Sequence, residues 1–159
     1  MAVVVLADRL DLVGEVGVLR WTEWGYDDPS PDEWIAVTRR EAGRDELPVS
    51  LVAIDADGSA IGVVGLDTAD DALTEDERDE RTPWLVGMVV RRDSRLRDVG
   101  RTLMDALADV AREHGHDRMW VLTGGSADYY RACGWSDVER LVTSKESLPS
   151  TVLTRALSG

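Results

Sequence analysis

Five arginines, Arg91, Arg92, Arg95, Arg97 and Arg101, stand within eleven residues of a chain whose formal net charge is −13. Guanidinium groups present planar donors that match phosphate and carboxylate oxygens. They lie in the run 89–107, V-V-R-R-D-S-R-L-R-D-V-G-R-T-L-M-D-A-L, between an apolar strand pattern and an amphipathic helix pattern that begins near Val99. A strand, a basic turn and a glycine at a helix start aim free N–H groups and the positive end of a helix dipole at an anion. The chemistry this points to is polyphosphate binding. A solvated Arg-rich turn is the plainer alternative.

Other residues could do chemistry as well. Trp21 and Trp24 flank Glu23 at helical spacing, so the two rings can share a face. An aromatic pair beside a carboxylate can hold an ammonium group through cation–π contact, although tryptophans also fill cores. His114 and His116 sit at a helix end and have no clustered cysteines or carboxylates, so no metal site is expected. Cys133 is the only cysteine, which excludes an internal disulfide and fits a reducing, cytoplasmic setting. A phosphate loop of the G-x-x-x-x-G-K-[ST] kind is absent, which argues against an ordinary nucleotide-triphosphate domain.

Composition narrows the classes further. The 159 residues suit one domain, 1–159, and a hydrophobic fraction of 43% supports a packed core. No apolar run approaches the ~20 residues of a membrane span, so no membrane partner is expected. With 31 acids against 18 bases, nucleic acid is not an expected partner either, because its phosphates are repelled outside any local basic patch. A cationic acceptor is electrostatically favoured, unless the acidity reflects only the source of the protein.

The elements that must position these residues follow from periodicity and punctuation. Residues 2–6 read as a strand and 8–24 as a helix, with Leu10, Val13, Val16 or Val18, and Leu19 at helical spacing. Ser30, Pro31 and Glu33 read as a capping box that opens a second helix to about residue 42. Two strands, 49–55 and 60–67, flank an Asp57-Gly58 hairpin turn. Residues 67–80 hold eight acids and one arginine and read as a solvent loop. The strand 84–90, the helix 99–114, the strand 119–123, a short helix 126–133 and the strands 135–141 and 150–157 complete the chain. The order β-α-α-β-β-β-α-β-α-β-β describes an α/β fold, a mixed sheet covered by helices.

In that order, the residues resemble the GNAT superfamily of N-acetyltransferases. The family signature is a strand ending in Val-x-Pro, then Gln/Arg-x-x-Gly-x-Gly/Ala opening a helix. Here Val90 ends the strand, Arg95 takes the first motif position and Gly100 the last glycine, with Leu103 and Met104 as the following apolar pair. A second block, Tyr129 to Trp135 (Y-Y-R-A-C-G-W), resembles the family's Phe-Tyr-x-x-x-Gly-Phe. Residues 21–25 and 82–85 resemble an uncharacterised bacterial-type subgroup. Arg92 replaces the usual proline, and Asp98 replaces the first motif glycine. Aspartate tolerates left-handed geometry better than most residues, but its carboxylate would stand near a bound pyrophosphate.

The resemblance implies an enzyme that moves the acetyl group of acetyl-CoA to a primary amine by direct attack in a ternary complex. Leu96, Arg97, Asp98, Val99, Gly100 and Arg101, with Arg95, would wrap the pyrophosphate. Met88, Val89 and Val90 would pair with the pantetheine amides, and an N–H near Met88 or Val89 would meet the thioester carbonyl. Tyr130 would protonate the leaving thiolate. The strands on which relatives place a catalytic glutamate carry no acid here, so the base candidates are Glu23, Asp67 and Glu80, with Glu23 nearest the expected acceptor groove. The acceptor would be a small-molecule amine or a peptide amine, possession of a homodimer interface being left open. A non-catalytic CoA-binding sensor or partner module of the same fold is the competing reading.

Overall fold

The structure is a computed structural model that describes residues 1–95 and 97–157; Leu96, one of the expected phosphate-binding residues, lies outside them. Along the chain run β1 (Ala2–Val5), α1 (Val13–Trp24), α2 (Asp32–Arg40), β2 (Val49–Ile54), β3 (Ala60–Asp67), α3 (Glu75–Arg78), β4 (Trp84–Val90), α4 (Val99–Glu113), β5 (Arg118–Thr123), α5 (Ala127–Ala132), β6 (Ser136–Val142) and β7 (Pro149–Ala156). The strands form a seven-stranded mixed sheet of order β1-β2-β3-β4-β5-β7-β6, flanked by helices. β4 and β5 run parallel, while β1–β2, β2–β3, β5–β7 and β6–β7 are antiparallel. The expected order holds, with α3 added. The chain packs as two compact units, residues 1–66 with 87–107 and residues 67–86 with 108–159.

In the first unit, β2 is buried at all six positions, as expected of a strand covered on both faces. The hairpin to β3 turns at Gly58, whose φ of +86° suits glycine. The helix expected over 8–24 is interrupted: Leu6–Asp8 and Leu10–Leu12 are 3-10 turns, and α-helix begins only at Val13. Leu10 is consequently 59% exposed, not part of the core stripe. The stripe that α1 buries is Val13, Val16, Gly17 and Arg20. Its Val13 and Val16 pack with Leu6, Leu12, Val52, Val63 and Val89. α4 lies against β3 so closely that a Cβ on Gly62 would stand 3.0 Å from Val99 and Leu103 side-chain atoms.

The capping box expected at Ser30 does not form. Pro31 occupies the cap with ψ 2°, and Ser30 Oγ accepts a long bond of 3.4 Å from the Asp32 N–H. A capping box needs an extended cap residue, and that condition is met instead at Thr74 (φ −74°, ψ 166°) in the second unit. There Thr74 Oγ1 accepts from the Glu77 N–H and Glu77 Oε1 accepts from the Thr74 N–H. The acidic stretch 67–80 is therefore not simply a solvent loop. It holds α3 and buries Leu73 with Trp84 and Val152. In the same unit, Gly115 and Gly134 end α4 and α5 with φ of +86° and +93°.

Candidate active site

The first unit brings the end of α1 to the basic turn. Arg95 Nη2 donates to Glu23 Oε2 at 2.9 Å, and its Nε donates to the Val90 carbonyl at 3.0 Å. One side chain thus ties together the last residue of β4, the turn and α1. A cavity of about 310 Å³ lies beside this contact, lined by Leu19, Thr22, Glu23, Val89, Val90 and the residues Arg91 to Asp93. A second, of about 240 Å³, shares Leu19, Thr22 and Arg91 and reaches Glu15 and Ala60.

The arginines of the turn do not stand free. Arg97 makes two 2.9 Å bonds to the carboxylate of Asp55. That fork, followed by the Ala56 N–H, holds the Asp55 carboxyl well below the usual carboxylate range. Arg91 Nε donates to Asp93 at 2.6 Å and lowers that carboxyl likewise. Exposed pairs of this kind hold their partners weakly, because solvent screens them.

Behind the turn, α4 opens with no acid in its first turn. Asp98 precedes it with φ +57°, and its carbonyl accepts from both the N–H and the hydroxyl of Thr102 at 3.0 Å. Aspartate therefore takes up here the left-handed conformation that the motif glycine would supply. α4 begins at Val99, and the first N–H groups of a helix have no carbonyl partner within it. Exposed guanidinium groups beside a helix N-terminus are a donor set that fits a pyrophosphate.

β4 contributes a change of backbone. Its parallel register with β5 runs over Trp84 and Leu85. Gly87 then adopts φ +60°, and Met88, Val89 and Val90 follow, with Val89 buried. The Arg91 N–H donates to the Ile61 carbonyl at 2.8 Å, where β4 lies beside β3.

Trp21 and Trp24 are committed to the corner between α1 and α2. Trp21 Nε1 donates to the Asp28 carbonyl at 3.1 Å, and the Trp24 ring lies 6.2 Å from that of Trp34, whose Nε1 donates to the Asp28 carboxylate at 2.6 Å. Trp24 keeps 40% of its surface exposed. The sequence pattern missed Trp34 as the partner of Trp24. It also missed Arg20, which is 3% exposed on the buried stripe of α1. A cation at the fourth position of a 13, 16, 17, 20 stripe is the signal that could have found it.

Tyr130 belongs to the second unit. It is 7% exposed and meets Tyr129 and Trp135 edge-on, at ring distances of 5.7 and 5.5 Å. Burial pushes its phenol above the usual tyrosine range. Tyr129 beside it is 43% exposed. Of the other base candidates, Asp67 accepts from the Thr68 N–H at 2.7 Å, and Glu80 is exposed beyond α3. Among the described residues no group of three or more His, Cys, Asp or Glu is arranged to hold a metal ion, and no helix is long and apolar enough to cross a membrane.

The fourth strand of a seven-stranded mixed sheet thus leads through a basic turn into a helix, the arrangement that the GNAT resemblance implies. The model of the acetyltransferase (GNAT) family matches residues 15–135, and the chain belongs to that family of acetyl-CoA-dependent acyltransferases. No curated protein matches it in sequence. Among solved structures, an aminoglycoside 6'-N-acetyltransferase complexed with coenzyme A is similar over 100% of this chain and 98% of its own, with TM-score 0.80 and 14% identity. The aminoglycoside 6'-N-acetyltransferase from Enterococcus faecium follows with TM-score 0.76 and 13% identity, over 100% and 98%. A GNAT-family acetyltransferase from Staphylococcus aureus Mu50 has TM-score 0.69 and 16% identity, over 99% and 100%. At these identities the likeness is one of fold.

Proposed function

We propose that the chain is a single catalytic domain that transfers the acetyl group of acetyl-CoA to the primary amine of a cationic small molecule or peptide, by direct attack in a ternary complex. The observation that carries this reading is the Arg95 bridge. It joins the turn suited to pyrophosphate to Glu23 at the wall of a cavity large enough for an amine. Acetyl-CoA supplies an activated thioester.

Each residue then has one task. Arg95, Arg97, Arg101 and the N–H groups of Val99 and Gly100 hold the pyrophosphate, with the backbone of Asp98 beside them. Met88, Val89 and Val90 offer backbone groups to the pantetheine arm, and the Met88 or Val89 N–H meets the thioester oxygen. Glu23 takes the proton released by the amine, directly or through one water. The nitrogen–carbon bond forms as the carbon–sulfur bond breaks, and Tyr130 returns a proton to the thiolate. Trp24, and Trp21 behind it, favour a cationic or flat acceptor through their rings. The acidic stretch 67–80 supports a cationic acceptor, and aminoglycosides, the substrates in the names of two structural neighbours, are polyamines to try first.

The test is thiol release over a panel of polyamines, aminoglycosides and peptide amines, with Tyr130→Phe and Glu23→Gln beside the wild type. Turnover that falls in both variants while CoA affinity is retained supports the enzyme. Tight CoA binding without turnover on any amine favours a CoA-binding sensor module instead.

A further inference from the structure

Arg20 is the least expected side chain in the first unit. It stands on the apolar stripe of α1 with Val13, Val16 and Gly17. Its Nη1 donates to Thr38 Oγ1 and Glu41 Oε2, each at 3.2 Å. Its Nε and Nη2 are buried and find no acceptor among the described residues. Those atoms face β4: a Cβ on Gly87 would stand 3.0 Å from Nη2, 3.5 Å from Cζ and 3.6 Å from Nε. The guanidinium therefore lies against the residue where β4 turns left-handed.

Stability does not explain an arginine here. Arginine stays protonated even when buried, and a buried ion pair generally stabilises no more than apolar side chains of the same volume. A methionine would complete the stripe without leaving donors unmatched. Unmatched buried donors in a native protein point to a role outside packing. Arg20 in this place requires a glycine at 87: any side chain there would adopt an unfavourable φ and crowd Nη2 as well.

We propose that Arg20 is a positioning residue for acetyl transfer, bracing the left-handed turn of β4 at Gly87 and thereby fixing the direction of the Met88 and Val89 N–H groups. This rests on the reading that one of those groups meets the thioester oxygen. The same buried cation also lends a weakly screened positive field to the segment, which favours negative charge growing on that oxygen.

The experiment compares Arg20→Met, Arg20→Lys, Gly87→Ala and the double variant Arg20→Met/Gly87→Ala. Three quantities are read: kcat and KM for an accepted amine, calorimetric Kd for CoA, and amide hydrogen exchange at Met88 and Val89 without ligand. Arg20→Met should lower kcat by ~10–100-fold, leave the CoA Kd within about 2-fold, and speed exchange at Met88 and Val89 above that of β2 and β3. Arg20→Lys keeps the charge without the flat fork, so it should recover part of kcat while exchange stays fast. The effects of Arg20→Met and Gly87→Ala should combine to less than their product, since both break one contact.

Folded Arg20→Met protein with unchanged kcat and unchanged exchange overturns the proposal. So does faster exchange spread evenly over α1, α2 and β4 with kcat retained, the mark of a purely structural arginine. If Arg20→Met does not fold, the Lys variant decides by the same two readouts. Should the wild type acetylate no amine, the catalytic reading fails, and local exchange at Met88 and Val89 still decides whether Arg20 braces the turn.

Discussion

Arg95 Nη2 and Glu23 Oε2 stand 2.9 Å apart, so the cation assigned to the cosubstrate and the carboxylate assigned to the acceptor are bonded to each other. Arg97 and Asp55 repeat the arrangement on the far side of the turn. The basic turn is thus balanced within the first unit before any anion arrives. A pyrophosphate that draws Arg95 away leaves Glu23 unpaired beside the cavity, where a free carboxylate is wanted.

That relationship predicts opposite effects on binding and turnover. Glu23→Gln should tighten CoA by ~2–5-fold, the worth of an exposed ion pair, while lowering kcat at neutral pH. Arg95→Ala should weaken CoA by about 10-fold. Calorimetry and steady-state kinetics on the same preparations check both. Weaker CoA binding in Glu23→Gln contradicts the competition.

Asp98 can be tested by restoring the motif glycine. The left-handed φ of +57° is kept by glycine without steric cost. Asp98→Gly should therefore hold or raise Tm and, by removing a carboxylate from the phosphate loop, improve CoA affinity. Asp98→Val should cost ~1–2 kcal/mol, because a β-branched residue is strained there. Thermal melts and CoA titration give the comparison.

Asp55 makes the first unit acid-sensitive. Its carboxyl is held below its ordinary value by the Arg97 fork and the Ala56 N–H. A depressed folded-state value means the stabilisation is complete above the unfolded value of ~3.9 and is lost as pH falls through the folded one. Melts from pH 6 down to 2 should show Tm falling most steeply below about pH 4. Asp55→Asn should flatten that fall, and so should high salt, which screens an exposed pair.

Tyr130 shifts the alkaline side. Burial raises its phenol, so the acid form persists past the usual ~10. Loss of turnover through ionisation of this group should then appear only above the ordinary tyrosine range. The linked stability is fully present below the unfolded value and declines as pH rises above ~10. Tyr130→Phe should abolish that decline and lower kcat by ~10–100-fold with CoA affinity retained. A kcat equal to wild type removes Tyr130 from the chemistry.

The acidic stretch supports one more comparison. Asp71, Glu75 and Asp76 are exposed, whereas Asp70 is largely enclosed and its carboxyl is raised, chiefly by burial. Replacing the three exposed acids with amides should raise KM for a polycationic amine several-fold at low salt and leave KM for a neutral amine unchanged. Equal KM values for the polyamine would dismiss the stretch as an attractor.

Element order was legible along the chain because it depends on neighbours within a few residues: the period of apolar side chains, the Asp57-Gly58 turn, Gly115 at the end of α4. The basic turn was legible for the same reason, since Arg95, Gly100 and the helix behind them are contiguous. The choice between two capping sequences, Ser30 and Thr74, was not, because it turns on whether the cap residue is extended, and neighbouring chain decides that. Nor could spacing alone reveal that Arg95 reaches Glu23, seventy-two positions away, that Arg97 reaches Asp55, or that Arg20 faces Gly87. Those contacts exist because β2, β3, β4 and α1 are folded against one another, and a carboxylate or a left-handed glycine acquires its partner only when distant segments share a wall.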